Sequence, residues 1–223
     1  FVNNFSDLNI ELLDEAKEIA GSNAELNEIL NDIEANMNKI HEHGSRADSI
    51  VKSMLLHSRG GSGMKEITDL NGLIKEYVNL AFHGMRASKR PINVGIELEL
   101  EENLGTVKLI REDFSRILLN LCNNAFDAMR EKLEANPTYK AILKVSTFKK
   151  DENLVLSIED NGPGIPSEIK DKILQPFFTT KKGTEGTGLG LSITNDIIKA
   201  HGGELSIRSQ PGQTVFTINL PGN

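Results

Sequence analysis

The stretch Lys140–Pro166, KAILKVSTFKKDENLVLSIEDNGPGIP, decides the fold. Ala141–Phe148 and Leu154–Glu159 are two β-rich runs close together in the chain, and they predict strands. The second run ends in Glu159-Asp160-Asn161-Gly162-Pro163-Gly164-Ile165-Pro166. Glycines beside a carboxylate at a strand end let a ligand come close to the backbone. Taken singly, the same residues are also an ordinary Asn-Gly turn.

Working outward, Arg111 to about Leu133 predicts a long helix with Phe114, Ile117, Leu118, Leu121 and Ala125 on one face. Val94–Leu100 alternates with period two and predicts a strand, and Asp69 is placed to N-cap a helix carrying Leu73, Ile74, Tyr77, Val78 and Ala81. Downstream, Leu189–Ala200 predicts a helix, and Glu204–Arg208 and Thr214–Leu220 a strand pair turning at Gln210-Pro211-Gly212. Strands that neighbour one another, with the helices collected on one side, predict an α/β sandwich with a mixed sheet covered on one face.

The first quarter differs in kind. Over residues 1–58 there are 11 acidic and 4 basic residues, no proline and two glycines, whereas the rest of the chain carries 21 of each sign. The net charge of −7 therefore belongs to this quarter. Phe1, Phe5, Leu8, Leu12, Ala16 and Ile19 recur at three- and four-residue steps. After Gly21-Ser22-Asn23 the stripe resumes through Leu26, Ile29 and Leu30, Ile33, Met37 and Ile40, and on to Met54 and Leu55. Two helices joined as a hairpin bury too little alone. A homodimer closing a four-helix bundle is the economical solution, and a monomeric hairpin packed on the second unit is the other. The overall class is α+β, with a boundary expected near Gly60-Gly61-Ser62-Gly63, giving domains 1–62 and 63–223.

Composition excludes several classes. One cysteine, Cys122, in 223 residues rules out an internal disulfide framework and a Cys-rich metal site. Twenty-five basic against 32 acidic residues argues against nucleic-acid binding by phosphate neutralisation. No run approaches the roughly 18 apolar residues of a membrane span. A cytoplasmic location is expected, as part of a larger sensor that is membrane-bound or not.

Three more segments carry chemistry. Asn120-Leu-Cys-Asn-Asn124-Ala-Phe-Asp127 puts two amides, Asn120 and Asn124, on one helix face by i,i+4 spacing. Buried amides cost about 1–3 kcal/mol unless partnered, by a ligand or by local groups and water. Pro176-Phe177-Phe178-Thr179-Thr180-Lys181-Lys182-Gly183 suggests a loop anchored by aromatics, whose lysines meet phosphate or only solvent. Gly186-Thr187-Gly188-Leu189-Gly190-Leu191 opens a helix and exposes backbone N–H groups at its positive end, which suits an anion. The glycine spacing matches neither a Walker A loop nor a dinucleotide fingerprint.

In this order, from about Ile67 to Pro221, the segments resemble the ATP-binding domain of bacterial sensor histidine kinases, within the wider GHKL ATPase group. The Asn helix looks like the N box, and Asp160-x-Gly162-x-Gly164 the first glycine box. Phe177-Phe178 looks like the F box, Gly186–Gly190 the second glycine box, and Gly212-Gln213-Thr214-Val215-Phe216 the closing strand pair. The resemblance implies ATP and Mg²⁺ as cofactors. Asp160 would accept from the adenine amine, with Thr214 helping to hold the base. Asn124 would ligate Mg²⁺, and Asn120 would lie near the phosphates. Gly186, Gly188 and Gly190 would let a lid from about Gln175 to Thr187 pass the triphosphate, with Lys181 or Lys182 touching it. Asp127, Gly162, Gly164 and Ile165 would line the same nucleotide site. So would Phe178, Thr180, Thr187, Leu189 and Leu191.

Relatives that hydrolyse ATP carry a glutamate four residues before the Mg²⁺ asparagine. Asn120 stands there and is no general base near pH 7, so the resemblance implies phosphoryl transfer rather than hydrolysis. The implied acceptor is a histidine on the first bundle helix, and the implied partner a response-regulator receiver domain. No such histidine motif occurs in residues 1–58. The acceptor is expected just upstream of Phe1, so this stretch is expected to bind ATP without labelling itself. His41, followed by Glu42, is the lesser candidate. His83 and His201 are read as structural, His201-Gly202-Gly203 as a helix end. A GHKL serine/threonine kinase and a non-enzymatic ATP-sensing dimer module are the alternatives.

Overall fold

The fold is that of a computed structural model, which describes residues 2–58, 63–181 and 186–222, with side chains undescribed at 46, 49–50 and 52–58. The chain divides into two compact units. One comprises residues 1–58 with 177–189, and the other residues 59–176 with 190–223. The Gly60–Ser62 stretch of the expected boundary lies outside the described residues, as do Lys182 and Gly183.

The first unit is built on two helices, α1 (Val2–Ala20) and α2 (Ala24–Ser58). Gly21 takes φ +55°, a left-handed conformation in which glycine carries no steric cost. Asn23 then accepts the Leu26 N–H at 3.2 Å and starts α2. The helices face each other through Leu13 and Leu30, the Lys17–Glu34 ion pair at 2.6 Å and an Asn3–Ser45 hydrogen bond at 2.8 Å. Gly44 faces Asn3 here: a Cβ at this position would lie 2.2 Å from the Asn3 amide oxygen, so the Asn3 side chain would have to move. Of the stripe seen in the sequence, Leu30 is buried here, whereas Phe5, Leu8, Leu12, Ile29 and Ile33 are exposed.

The second unit runs β1 (Glu66–Asp69), α3 (Leu70–Arg86), β2 (Val94–Leu100), β3 (Thr106–Leu109), α4 (Arg111–Ala135), β4 (Ala141–Lys150), β5 (Asn153–Asp160), α5 (Gly190–Ala200), β6 (Glu204–Gln210) and β7 (Gln213–Pro221). Five strands form one mixed sheet in the order β2-β4-β5-β7-β6, in which β2 and β4 pair in parallel and the other neighbours antiparallel. The short strands β1 and β3 form a separate antiparallel pair that the sequence reading did not foresee. Four residues of mixed polarity give too little periodicity to stand out.

Alternation explains the sheet's two faces. Ala141, Leu143, Val145 and Thr147 are buried, while Lys144, Ser146 and Phe148 between them are not. The buried row meets α4, whose Phe114, Ile117, Leu118, Leu121 and Phe126 are almost wholly enclosed. Asp69 occupies the N-cap position of α3 as expected, but its side chain makes no capping hydrogen bond. His201 is structural: its Nε2 accepts the Ile110 N–H at 3.1 Å, and Nδ1 lies 2.9 Å from the Ile197 carbonyl oxygen. It ends α5, where Gly202 takes φ +76°.

Candidate nucleotide site

One stripe of α4 organises the polar groups of the sheet unit. Asn120, Asn124, Ala128 and Lys132 follow at steps of four and so share a face. At one end the Asn120 amide donates to the Gly190 carbonyl at 3.3 Å and reaches the Thr194 hydroxyl at 3.5 Å, tying α4 to the start of α5. One turn on, Asn124 is half-buried, and none of the described residues gives its side chain a hydrogen bond. A further turn on, Ala128 backs the glycine turn: a Cβ at Gly162 would stand 3.2 Å from Ala128 Cβ. Lys132 closes the stripe, donating to the carbonyls of Asn161 at 2.5 Å and Gly162 at 3.1 Å.

Asp160 ends β5 on the helix-facing side and pairs in register with Thr214 of β7. Both are buried, at 4% exposure each. The Asp160 carboxylate accepts the Gly162 N–H at 2.9 Å. Burial pushes its pKa up to about 6, and Glu159 adds to the rise, while the Gly162 N–H and the Lys132 ammonium oppose it. The folded state thus holds this proton longer than the unfolded chain. Unliganded stability falls as pH rises from 3.8 to about 6. A buried carboxylate with a raised pKa, beside a glycine turn, makes Asp160 a candidate for a functional group.

The β6–β7 turn completes the wall. Gly164 takes φ +88°, and a Cβ there would lie 2.3 Å from the Gln210 carbonyl oxygen, so the first glycine box packs directly on this turn. The Ile165 N–H donates to the Ser209 hydroxyl at 2.8 Å, and Ser209 Oγ lies 3.1 Å from Thr214 Oγ1. Asp160, Gly162, Gly164, Ile165 and Thr214 are therefore brought together with the Asn124 face of α4. Asp127 is turned to Arg130, its Oδ1 accepting from Nη1 at 2.5 Å. Leu191, in the first turn of α5, packs on the core.

The other site residues belong to the first unit. There Gly188 takes φ +69°, and a Cβ would lie 2.3 Å from the Phe177 carbonyl carbon and 2.7 Å from the Phe178 nitrogen. The F box and the second glycine box are thus in direct contact, and only glycine fits between them. Gly186 stands against Thr179 and Lys181 in the same way. The Thr187 hydroxyl accepts the Leu189 N–H at 3.4 Å. Thr180 and Lys181 lie on the same segment.

Residues 110–223 match the family described as histidine kinase-, DNA gyrase B- and HSP90-like ATPase. The chain belongs to this ATPase family. Within the family its kin are histidine kinases. The catalytic domain of histidine kinase ThkA superposes with a TM-score of 0.58 at 34% identity, covering 70% of this chain and 95% of that domain. ThkA in complex with the response regulator protein TrrA gives 0.64 at 28% identity, covering 86% of this chain and 52% of ThkA. Sensor kinase CckA of Brucella abortus is 33% identical over 192 residues, which are 82% of this chain and 20% of CckA. Signal transduction histidine-protein kinase AtoS of Escherichia coli is 32% identical over 178 residues, 79% of this chain and 27% of AtoS. The chain thus spans about a quarter or less of these sensor kinases' length. The sheet unit is the ATP-binding catalytic domain of the histidine-kinase type, and the α+β architecture read from the sequence holds. Among the described residues no helix is long and apolar enough to cross a membrane.

Sequence reasoning missed the supporting residues. Lys132, Tyr139 and Ser209 hold the glycine turn and strand pair, yet each looks like an unremarked surface residue. The one signal is the pair of four-residue steps from Asn124 through Ala128 to Lys132.

Proposed function

We propose that the chain is the ATP- and Mg²⁺-binding kinase part of a cytoplasmic sensor histidine kinase. It transfers the γ-phosphate of ATP to a bundle histidine, from which a response-regulator receiver domain takes it. The observation that carries this reading is Asn120. It stands where hydrolysing relatives place a water-activating glutamate, and its amide is committed to Gly190 and Thr194. A site with no base beside its nucleotide favours an acceptor that is itself the nucleophile.

Asp160 selects adenine by accepting from its exocyclic amine. Guanine presents a carbonyl there, which would leave two buried acceptors face to face. Mg²⁺ fits the donor set. Among the described residues the Asn124 amide oxygen has no hydrogen-bond partner and is one hard ligand, and no trio of His, Cys, Asp or Glu stands ready to cage a metal. The ion therefore arrives with the triphosphate, where it neutralises phosphate charge. Domains are assigned as 1–62 for the dimerisation hairpin and 63–223 for the catalytic unit. The exposed stripe of α1 and α2 pairs with a second copy, burying Phe5, Leu8, Leu12, Ile29 and Ile33.

The test supplies γ-labelled ATP, Mg²⁺ and a histidine-bearing hairpin in trans. Acid-labile, alkali-stable label on that hairpin, passed to a receiver domain, is the expected result. Steady release of inorganic phosphate without a labelled histidine would instead make the chain a hydrolase. Label on the chain itself that disappears in His41→Gln would assign the acceptor to His41.

A further inference from the structure

Lys132 lies outside every glycine and asparagine motif, yet it sits at the meeting point of four segments. From the last turn of α4 its ammonium donates to the Asn161 and Gly162 carbonyls at 2.5 and 3.1 Å, those of the two residues that follow Asp160. It lies over the Tyr139 ring, 4.6 Å from the centroid. It also comes within 4.0 Å of where a Cβ would stand on Gly212, in the β6–β7 turn. Around it the turn is pinned a second time. The Tyr139 hydroxyl donates to the Asn161 amide oxygen, which also takes the Ile142 N–H at 2.8 Å. The Asn161 amide nitrogen donates to the Lys140 carbonyl at 2.8 Å.

A lysine here does two things a neutral residue cannot. It binds two carbonyls with charge-assisted hydrogen bonds, each worth more than a neutral one. It also places a positive charge beside a carboxylate that burial disfavours in its ionised form. We propose that Lys132 is a positioning residue for the nucleotide base. Its ammonium clamps the turn that presents Asp160, and it supplies the field that keeps this carboxylate a charged acceptor.

The inference rests on the reading of Asp160 as the adenine contact. The charged groups acting on Asp160 are Glu159 on its own strand, which opposes ionisation, and Lys132 on α4, which favours it. From β7 it meets the uncharged Thr214, and from β4 Leu143, so among the described residues no second cation takes over when Lys132 is lost. Tyr139 responds in turn: burial and the Asp160 charge push its phenol up to about 12, so it remains a hydrogen-bond donor.

The experiment measures ATP affinity of the whole chain by calorimetry from pH 5 to 8. The wild-type protein, Lys132→Met, Lys132→Gln, Lys132→Arg and Tyr139→Phe are compared. Protonation of the nucleotide's phosphates is common to all, so only differences between proteins are read. Affinity falls as acid protonates Asp160. Removing the cation raises the pH at which that fall begins. Lys132→Met and Lys132→Gln are each expected to move the falling limb up by about half a pH unit or more. They are also expected to weaken binding roughly fivefold near pH 6.5. Lys132→Arg should restore most of the limb's position. Limbs of Met and Gln variants that coincide with wild type overturn the proposal. So does a Tyr139→Phe limb displaced as far as theirs, since that variant loosens the turn without touching the charge. Asp160→Ala with undiminished affinity would overturn the adenine reading itself, whatever Lys132 does.

Discussion

The helical hairpin and the sheet unit dispose of their apolar side chains in opposite ways. In the sheet unit Phe114, Phe126, Leu143 and Leu156 are at most 1% exposed, enclosed between one sheet face and the helices that cover it. In the hairpin, among the described residues, only Leu13 and Leu30 count as buried apolar side chains, while Phe5 and Ile29 are 63% and 53% exposed. A sheet with helices on one face is two layers and closes its own core. Two helices side by side are one layer, and their second apolar face must be covered from elsewhere. The sheet unit thus encloses its own core, and the proposed pairing with a second copy is what would cover the hairpin's exposed stripe.

Three measurements probe this contrast. The largest effect is expected from Phe114→Ala, which empties the centre of the sheet unit's core. It should cost about 3–5 kcal/mol of that unit's stability, read as a fall in its melting transition. An unchanged transition would mean that the unit does not rest on its own core. Next, Leu12→Glu with Ile29→Glu places charges on the exposed stripe. Self-association followed by sedimentation should weaken about a hundredfold, or roughly 2.7 kcal/mol. ATP affinity should stay at the wild-type value, and a loss of it would break the division of labour. The smallest effect concerns Asn124→Ala, which should lower ATP affinity about tenfold in Mg²⁺ and little in EDTA, since it removes one hard ligand. Equal losses in both conditions would make the residue a phosphate contact instead of a metal ligand.

The sheet unit also shows which residues could be read in advance. Strands β2, β4, β5, β6 and β7 and helices α3, α4 and α5 all declared themselves through alternation or three-to-four spacing, with ends misplaced by a few residues. Pairs such as Asp160 with Thr214 are 54 positions apart and came from the resemblance, because register depends on pairing and not on local pattern. The apolar stripe of α1 and α2 was legible as helical spacing. The hairpin's inner face was legible only at Leu30, since Asn3, Ser6, Lys17, Glu34 and Leu13 make up the rest. Polar residues of that kind blend into a solvated surface in a sequence.

Asn120 and Lys132 mark the limits. Spacing put Asn120, Asn124, Ala128 and Lys132 on one face of a helix, because helix geometry is local and follows from the 3.6-residue turn. What each residue meets on that face is non-local. Gly190 lies 70 residues beyond Asn120, and the Asn161 carbonyl 29 beyond Lys132. The sequence by itself determined the elements, their amphipathic faces, the glycine-rich turns and the charge imbalance of the first quarter, all of which follow from neighbours in the chain. Only the tertiary structure decided that Asp160 is buried beside a lysine, that Asn124 has no hydrogen-bond partner among the described residues, and that most of the hairpin's apolar stripe points outward. Burial, desolvation and hydrogen-bond partnership belong to packed surfaces, and these exist only once distant segments have come together.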